Sequence, residues 1–193
     1  MANFEEANKI TGMNEGGYAN HRNDKGGETY AGISRRFWSN WPGWKYIDKY
    51  KDQYTHQDSA IRLKYSLARW INSSAAQKGE PVNEMVKNFY KINFWDANKL
   101  DELKCQQLAN SVYDFGVNAG NVTAIKLLQK VVNTIQDGRM GERTITATNS
   151  LNCRGALGAY NSRREEYYRS IAKGDQAQFL KVWLSRIKPY KTE

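Results

Sequence analysis

The sequence predicts a mainly α-helical protein with a small irregular β-hairpin or loop near its N-terminus. Apolar residues recur at spacings of three and four along most of the chain, which is the period of an amphipathic helix. Glycines cluster in residues 16–33, mixed with Asn and Asp, which is the chemistry of tight turns. No segment has the strong alternating pattern of a long strand, and no Pro- or Ser-rich linker divides the chain.

The helices can be justified in chain order from their apolar faces. The spacing of apolar residues predicts a first helix over residues 2–13, and the glycines at 16 and 17 are expected to end it. Ser34 is expected to cap a short helix through Trp38, and Asp58 or Ser59 one that reaches Ile71. The remaining helices follow apolar stripes at Val82, Met85, Val86 and Phe89; at Leu108, Val112 and Phe115; at Ala124, Leu128, Val131 and Ile135; and at Leu157, Tyr160, Tyr167, Ile171, Phe179, Val182, Trp183 and Ile187. The weakest joint lies near residues 96–106, so we predict lobes 1–97 and 98–193 that pack together.

The composition indicates a folded, basic protein. The 193 residues carry 29 Lys and Arg against 20 Asp and Glu, a formal net charge of +9. Aromatic residues make up 12% of the chain, too much apolar surface for a disordered segment. No apolar run is long enough to span a membrane, so we expect no stable membrane insertion. The charge favours polyanionic partners, but without a nucleic-acid-binding motif we expect no nucleic acid.

The cysteines and histidines predict no metal and no cofactor. Cys105 and Cys153 form no CxxC pair, so we expect two small apolar side chains in a core rather than a zinc site or a disulfide. His21 and His56 are far apart in sequence, and motifs for zinc, calcium or nucleotide binding are lacking.

One segment combines two carboxylates and a hydroxyl on a backbone that can fold back sharply. Glu15 precedes Gly16 and Gly17, Asp24 comes nine residues later, and Thr29 follows five after that. If the segment doubles back, the three side chains converge on one cleft. Glycoside hydrolysis needs such a set, because one carboxylic acid must protonate the leaving oxygen while a second group places water or stabilises the cation.

Every one of these residues also has an ordinary structural interpretation. A Glu beside two glycines commonly ends a solvated helix, and an Asp in Asn-Asp-Lys-Gly commonly forms a turn. Tyr18 and Tyr30 would supply apolar walls that keep an acid protonated. A further aromatic group could either stack on sugars or pack in a core: Trp38, Trp41, Trp44 and Tyr46.

The segment from Glu15 to Ser34 resembles the signature of glycoside hydrolase family 108. The shared pattern is Glu-Gly-Gly-Tyr, a spacer, Asp-x-Gly-Gly-x-Thr, and then Gly-Ile. The similarity continues at Phe94-Trp95-Asp96 and at Tyr113–Gly120. Residues from Ala124 to Ile187, including Asp137-Gly138 and Gly141, are similar to the predicted peptidoglycan-binding domain that follows in the family.

The resemblance implies a lysozyme-like helical fold and an N-acetylmuramidase activity, and many members carry the label "secretion activator protein". It implies Glu15 as general acid and places Asp24 and Thr29 at the cleft. Tyr18, Tyr30, Asn118 and Gln129 are the expected substrate-binding residues, with buried amide capping as the alternative for the last two. The expected muramidase would be endolysin-like, and a lytic transglycosylase and a non-catalytic peptidoglycan-binding module remain alternatives.

The expected partner is the glycan strand of peptidoglycan. The segment after Met1 is polar and has no apolar core of a signal peptide, so we expect synthesis in the cytoplasm. Action at the cell wall or in the periplasm would then follow release through a holin or a secretion system.

Overall fold

The computed structural model describes residues 1–11, 17–20, 27–64, 66–77 and 81–190. It is mainly α-helical with one small antiparallel sheet near the N-terminus, which confirms the predicted fold class. The chain divides into two compact units. We call residues 1–13 with 90–193 the helical unit, and residues 14–89 the motif unit. The lobes 1–97 and 98–193 stay a prediction. Within the described ranges, no helix is long and apolar enough to cross a membrane.

The motif unit consists of a three-stranded sheet followed by helices. Strand order is β1-β2-β3, and both pairings are antiparallel. Helices α2 and α4 pack on each other, and α4 also contacts the first strand. The elements are β1 (Tyr18–Ala19), β2 (Thr29–Tyr30), β3 (Ile33–Ser34), α2 (Trp44–Thr55), α3 (Ser59–Lys64), α4 (Leu67–Gln77) and α5 (Val82–Tyr90).

Two details of the motif unit differ from the sequence prediction. Ser34 does not cap a helix, because it pairs with Thr29 in the sheet, and its carbonyl closes a turn that ends at Trp38. The single helix predicted to reach Ile71 is two helices, α3 and α4. The predicted start of α5 just after Pro81 is confirmed.

The helical unit is built around one central helix. Its elements are α1 (Phe4–Thr11), a π-helical turn (Lys91–Trp95), two 3-10 turns (Asp96–Asn98 and Leu100–Glu102), α6 (Gln106–Ala119), α7 (Asn121–Val131), α8 (Glu142–Ser150), α9 (Cys153–Ile171), a third 3-10 segment (Gly174–Phe179) and α10 (Leu180–Ser185). Helix α6 is buried on all sides from Leu108 to Gly116 and contacts α1, α7 and α9. Ser111, a buried polar residue of this helix, donates a hydrogen bond to Asn161 Oδ1 at 2.7 Å.

Helix α7 is shorter than the apolar stripe predicts. It ends at Val131, and Asn133 adopts a left-handed backbone conformation with φ of 55°. Ile135 therefore leaves the helical face, and 74% of its surface is exposed. The stripe prediction is right for Ala124 and Leu128, which are buried, and wrong for Ile135.

The prediction for the two cysteines is wrong. Cys105 and Cys153 form a disulfide, with their Cα atoms 5.3 Å apart. Cys105 lies just before α6 and Cys153 opens α9, so the packing of these two helices brings their first turns together. The 48-residue separation carries no local signal, which is why the sequence does not reveal the pairing.

Replacing both cysteines with serine is expected to lower the free energy of unfolding by about 2–4 kcal/mol, because the cross-link restricts a long loop of the unfolded chain. Urea unfolding with and without a thiol reductant measures this effect. The reductant should destabilise the parent protein by a similar amount and leave the double variant unchanged. An unchanged parent midpoint in reductant would contradict the prediction.

Candidate functional site

The glycine-rich motif forms the small sheet of the motif unit. Tyr18 lies opposite Tyr30, and Thr29 lies between Ala19 and Ser34 on the neighbouring strands. Ala31 and Gly32 join β2 to β3 and both have positive φ, 46° and 76°, which is the two-residue turn that matches strand twist. Glu15 and Asp24, the two predicted catalytic carboxylates, lie outside the described residues.

Gly17 lies in close contact with helix α4. A Cβ atom at this position would overlap the side chain of Asn72 on α4. The Asn72 Oδ1 atom accepts a hydrogen bond from the Tyr18 N–H at 3.0 Å. The second glycine of the Glu-Gly-Gly-Tyr motif therefore lets β1 lie directly against α4.

The two tyrosines of the motif are buried in the packing of the sheet. Tyr18 is 9% and Tyr30 6% exposed. The Tyr30 ring stacks on Trp41 with centroids 6.3 Å apart, and the Tyr18 hydroxyl donates to Glu28 Oε1 at 3.0 Å. Burial raises the pKa of both phenols. Their rings supply apolar surface under the motif, and their contact with substrate stays a prediction.

Thr29 lies on the other face of the sheet from Tyr30, because successive strand residues alternate. It is half-buried, and its hydroxyl lies 3.5 Å from the carbonyl oxygen of Ala19. That long contact leaves the hydroxyl able to bind another acceptor or a water molecule.

Glu28 is a carboxylate of the motif for which the sequence predicts no role. Its side chain is 12% exposed and is held by two cations. Arg35 Nε lies 2.8 Å from Oε2, and Lys51 Nζ lies 2.6 Å from Oε1. These contacts tie β2 to β3 and α2. Only the three-dimensional arrangement reveals them, because Lys51 is 23 residues away.

Glu28→Gln is expected to lower the free energy of unfolding by about 1–3 kcal/mol, because the amide leaves two partly buried cations without their countercharge. Asp48→Asn is the matched control, since Asp48 also pairs with Arg35 and Lys51 but is 49% exposed. The control should lose at most about 1 kcal/mol. Equal losses in thermal or urea unfolding would show that burial of Glu28 is unimportant.

The aromatic group of the motif unit serves mainly for packing. Trp41 and Trp44 are buried and meet edge-to-face at 5.3 Å. Trp38 is partly exposed and packs edge-to-face on Phe89 at 4.8 Å. Packing therefore accounts for two of the three tryptophans, and Trp38 alone presents a ring edge or face to solvent among them.

Asn118 and Gln129, the other two predicted substrate-binding residues, lie in the helical unit and have different environments. Asn118 is exposed near the end of α6, and its Oδ1 accepts from the Tyr168 hydroxyl at 2.9 Å. Gln129 is 1% exposed. Its amide nitrogen contacts Asp137 Oδ1 at 2.7 Å and the Arg139 carbonyl at 3.0 Å, so it holds the 137–141 loop. This environment favours the buried-amide alternative for Gln129.

A charged centre is enclosed in the helical unit. Asp114 on α6 contacts Arg164 on α9 at 2.6 Å and Arg186 after α10 at 2.8 Å, and the Asp114 and Arg164 side chains are 1% and 0% exposed. The Thr11 hydroxyl lies 3.4 Å from Asp114 Oδ1, which adds α1 to the cluster. The centre joins four helical segments, and the burial of Asp114 and Arg164 assigns it to structure rather than to substrate contact.

Comparison with known proteins places the chain in a family. The model of glycosyl hydrolase 108 matches residues 8–120, more than half of the chain, and the protein belongs to that family. A second model, described as a predicted peptidoglycan domain, matches residues 123–188. The protein is therefore a glycoside hydrolase, and the two matches together support a peptidoglycan hydrolase.

A solved structure shares the fold. The structure of Brucella abortus SagA is similar over 97% of this chain and 90% of its own, with a TM-score of 0.67 and 24% sequence identity. None of the curated proteins compared with the chain matches it.

Proposed function

We propose that the protein is an N-acetylmuramidase that hydrolyses the β-1,4 bond between N-acetylmuramic acid and N-acetylglucosamine in peptidoglycan. The family match carries this proposal, because it spans residues 8–120 and so includes the whole segment from Glu15 to Thr29. The match of residues 123–188 to a peptidoglycan domain supports the same polymer as substrate.

Glu15 is the proposed general acid, which donates a proton to the glycosidic oxygen as the bond breaks. Glu28 is poorly suited to this task because Arg35 and Lys51 contact both of its oxygens. Glu15 and Asp24 are the remaining carboxylates of the motif that could take part in the reaction. Asp24 then either positions the attacking water or stabilises the oxocarbenium-like transition state.

The distance between the two carboxyl groups decides the stereochemical outcome. A separation of roughly 6.5–9.5 Å leaves room for water and gives inversion, whereas about 5 Å gives a covalent intermediate and retention. The half-buried Thr29 hydroxyl is proposed to orient water or sugar beside them. Asn118, with its exposed amide, is the proposed glycan contact in the helical unit.

The proposed place of action is the cell wall. The substrate lies outside the cytoplasmic membrane, so we propose release through a holin or a secretion system after synthesis in the cytoplasm.

Mass spectrometry of fragments released from purified peptidoglycan, before and after borohydride reduction, tests the proposed reaction. Hydrolysis by a muramidase should leave reducing muramic acid ends. Anhydro-muramic ends would overturn hydrolysis in favour of transglycosylation, and reducing N-acetylglucosamine ends would overturn the bond assignment. Binding of folded protein to several wall types without any released fragment would favour a non-catalytic binding module.

A further inference from the structure

A cleft of about 650 Å³ lies in the helical unit, where α7 ends and α8 begins. Its lining includes Thr134, Ile135, Arg139, Glu142 and Arg143. The whole cleft falls within residues 123–188, the match to the peptidoglycan domain. Its volume is in the range of sites that hold small ligands or short peptides.

The floor of the cleft is preorganised by buried contacts. Gln129 Oε1 accepts from the Gly138 N–H at 2.9 Å, and the Gln129 amide nitrogen donates to Asp137 Oδ1 at 2.7 Å. The Gln129 side chain, followed by the Arg139 N–H, lowers the pKa of Asp137. Hydrogen bonds from Gln129 therefore hold the 137–141 loop, which carries Arg139, in place.

Two features of the cleft favour a bound carboxylate. The Arg139 and Arg143 side chains are exposed and form no ion pair with any residue of the described ranges. Helix α8 begins at Glu142, and its N-cap residue Gly141 supplies no side-chain cap, so the first-turn N–H groups present the positive end of the helix.

We propose that this cleft binds the stem peptide of peptidoglycan through its carboxylates. This inference rests on the proposed substrate. N-acetylated sugars are uncharged when the lactyl group is amide-linked to the peptide, so the negative charges of the repeating unit lie on the peptide. A guanidinium pairs with a carboxylate through two parallel hydrogen bonds.

The remaining lining fits the other parts of such a peptide. Ile135, 74% exposed at the rim, offers an apolar surface for alanine methyl groups. Glu142 carries the opposite charge to the arginines and is placed to pair with the ammonium group of the diamino acid. Arg139 and Arg143 together with Asp137 and Glu142 give the cleft both signs of charge, which suits a short chain that also carries both.

Calorimetric titration of the full chain with a synthetic stem tetrapeptide, L-alanyl-γ-D-glutamyl-L-lysyl-D-alanine, tests the proposal. Arg139→Gln/Arg143→Gln should weaken binding at least tenfold, as expected for the loss of charge-assisted pairs. The matched control is Arg163→Gln/Arg169→Gln, which removes the same net charge from exposed ion pairs on α9 and should bind like the parent. The same peptide with both carboxylates converted to amides should bind the parent protein at least tenfold more weakly.

Several outcomes would overturn the proposal. These are no peptide binding by the parent protein, an equal loss of affinity in the two double variants, or binding of the amidated peptide as strong as that of the acid. Chitotetraose binding that only Arg139→Gln/Arg143→Gln abolishes would make the cleft a glycan site instead. The titration measures binding and not bond cleavage, so it tests the cleft separately from the proposed activity. Peptide binding without released fragments would support the peptide site and contradict the hydrolase. Released fragments without peptide binding would support the hydrolase and contradict the peptide site.

Discussion

Replacing Asp114 with asparagine is expected to lower the free energy of unfolding by about 3–5 kcal/mol, the usual effect of breaking a buried ion pair from one side. Asp114 contacts Arg164 at 2.6 Å and Arg186 at 2.8 Å. The asparagine keeps the size of the side chain but leaves Arg164, which is 0% exposed, without a countercharge.

Asp114 supplies the nearest countercharge to the buried Arg164 guanidinium. Burial on its own would lower the pKa of this group, but the Asp114 carboxylate together with Tyr168 and Tyr160 raises it. The guanidinium also lies over the rings of Phe115 at 5.2 Å and Tyr190 at 5.5 Å. The Arg164 side chain is 0% exposed, so bulk solvent does not replace the lost carboxylate and the cost falls on the folded state.

Urea unfolding at neutral pH, followed by circular dichroism, measures the effect. Glu165→Gln is the matched control, since Glu165 pairs with Arg169 at 2.6 Å on the exposed side of α9. It should cost at most about 0.5 kcal/mol. A loss below about 1 kcal/mol for Asp114→Asn would mean that the two arginines find other partners, and the assignment of the centre to stability would then be wrong.

Glu15→Gln is expected to reduce the release of soluble fragments from purified peptidoglycan at least about a hundredfold, because the carboxamide keeps the shape but cannot donate the proton. The measurement is the initial rate of fragment release at fixed protein and substrate concentrations. Unfolding midpoints of the variant and the parent should agree, which separates a catalytic loss from a folding defect.

The control for Glu15→Gln is Glu84→Gln, an exposed carboxylate in the first turn of α5 within the same unit. It should release fragments at the parent rate. If Glu15→Gln stays within a few-fold of the parent, the general acid is another group, and Asp24→Asn becomes the next variant to measure.

The sequence predicts the fold class well because its signals are local. Helix α5 begins directly after Pro81, and the small sheet follows the glycines, since Gly32 with φ of 76° is what a tight two-residue turn requires. The error at Ile135 is also local in origin. An apolar residue four positions after Val131 fits the stripe, but the left-handed Asn133 ends the helical path before it.

Contacts between distant residues are what the sequence does not reveal. Asp114 is recognisable as part of a family motif, but its partners lie 50 and 72 residues further along the chain. The disulfide between Cys105 and Cys153 spans 48 residues and is not evident from the sequence for the same reason. At the candidate site, the order of Glu15, Asp24 and Thr29 in the sequence predicts glycoside hydrolysis. The ion pair between Glu28 and Lys51 is seen only in the structure, where α2 brings Lys51 to Glu28.

The position of α1 determines where the chain can be cut. The Ala2 N–H donates to the Leu103 carbonyl at 2.8 Å, and Phe4 packs edge-to-face on Trp95 and Tyr113. A fragment of residues 98–193 would lack α1, which packs on α6, and it would expose the aromatic surface of Tyr113 that Phe4 covers. Residues 14–89 separate α1 from the rest of the helical unit along the chain, so a break after residue 97 detaches α1 from its partner α6.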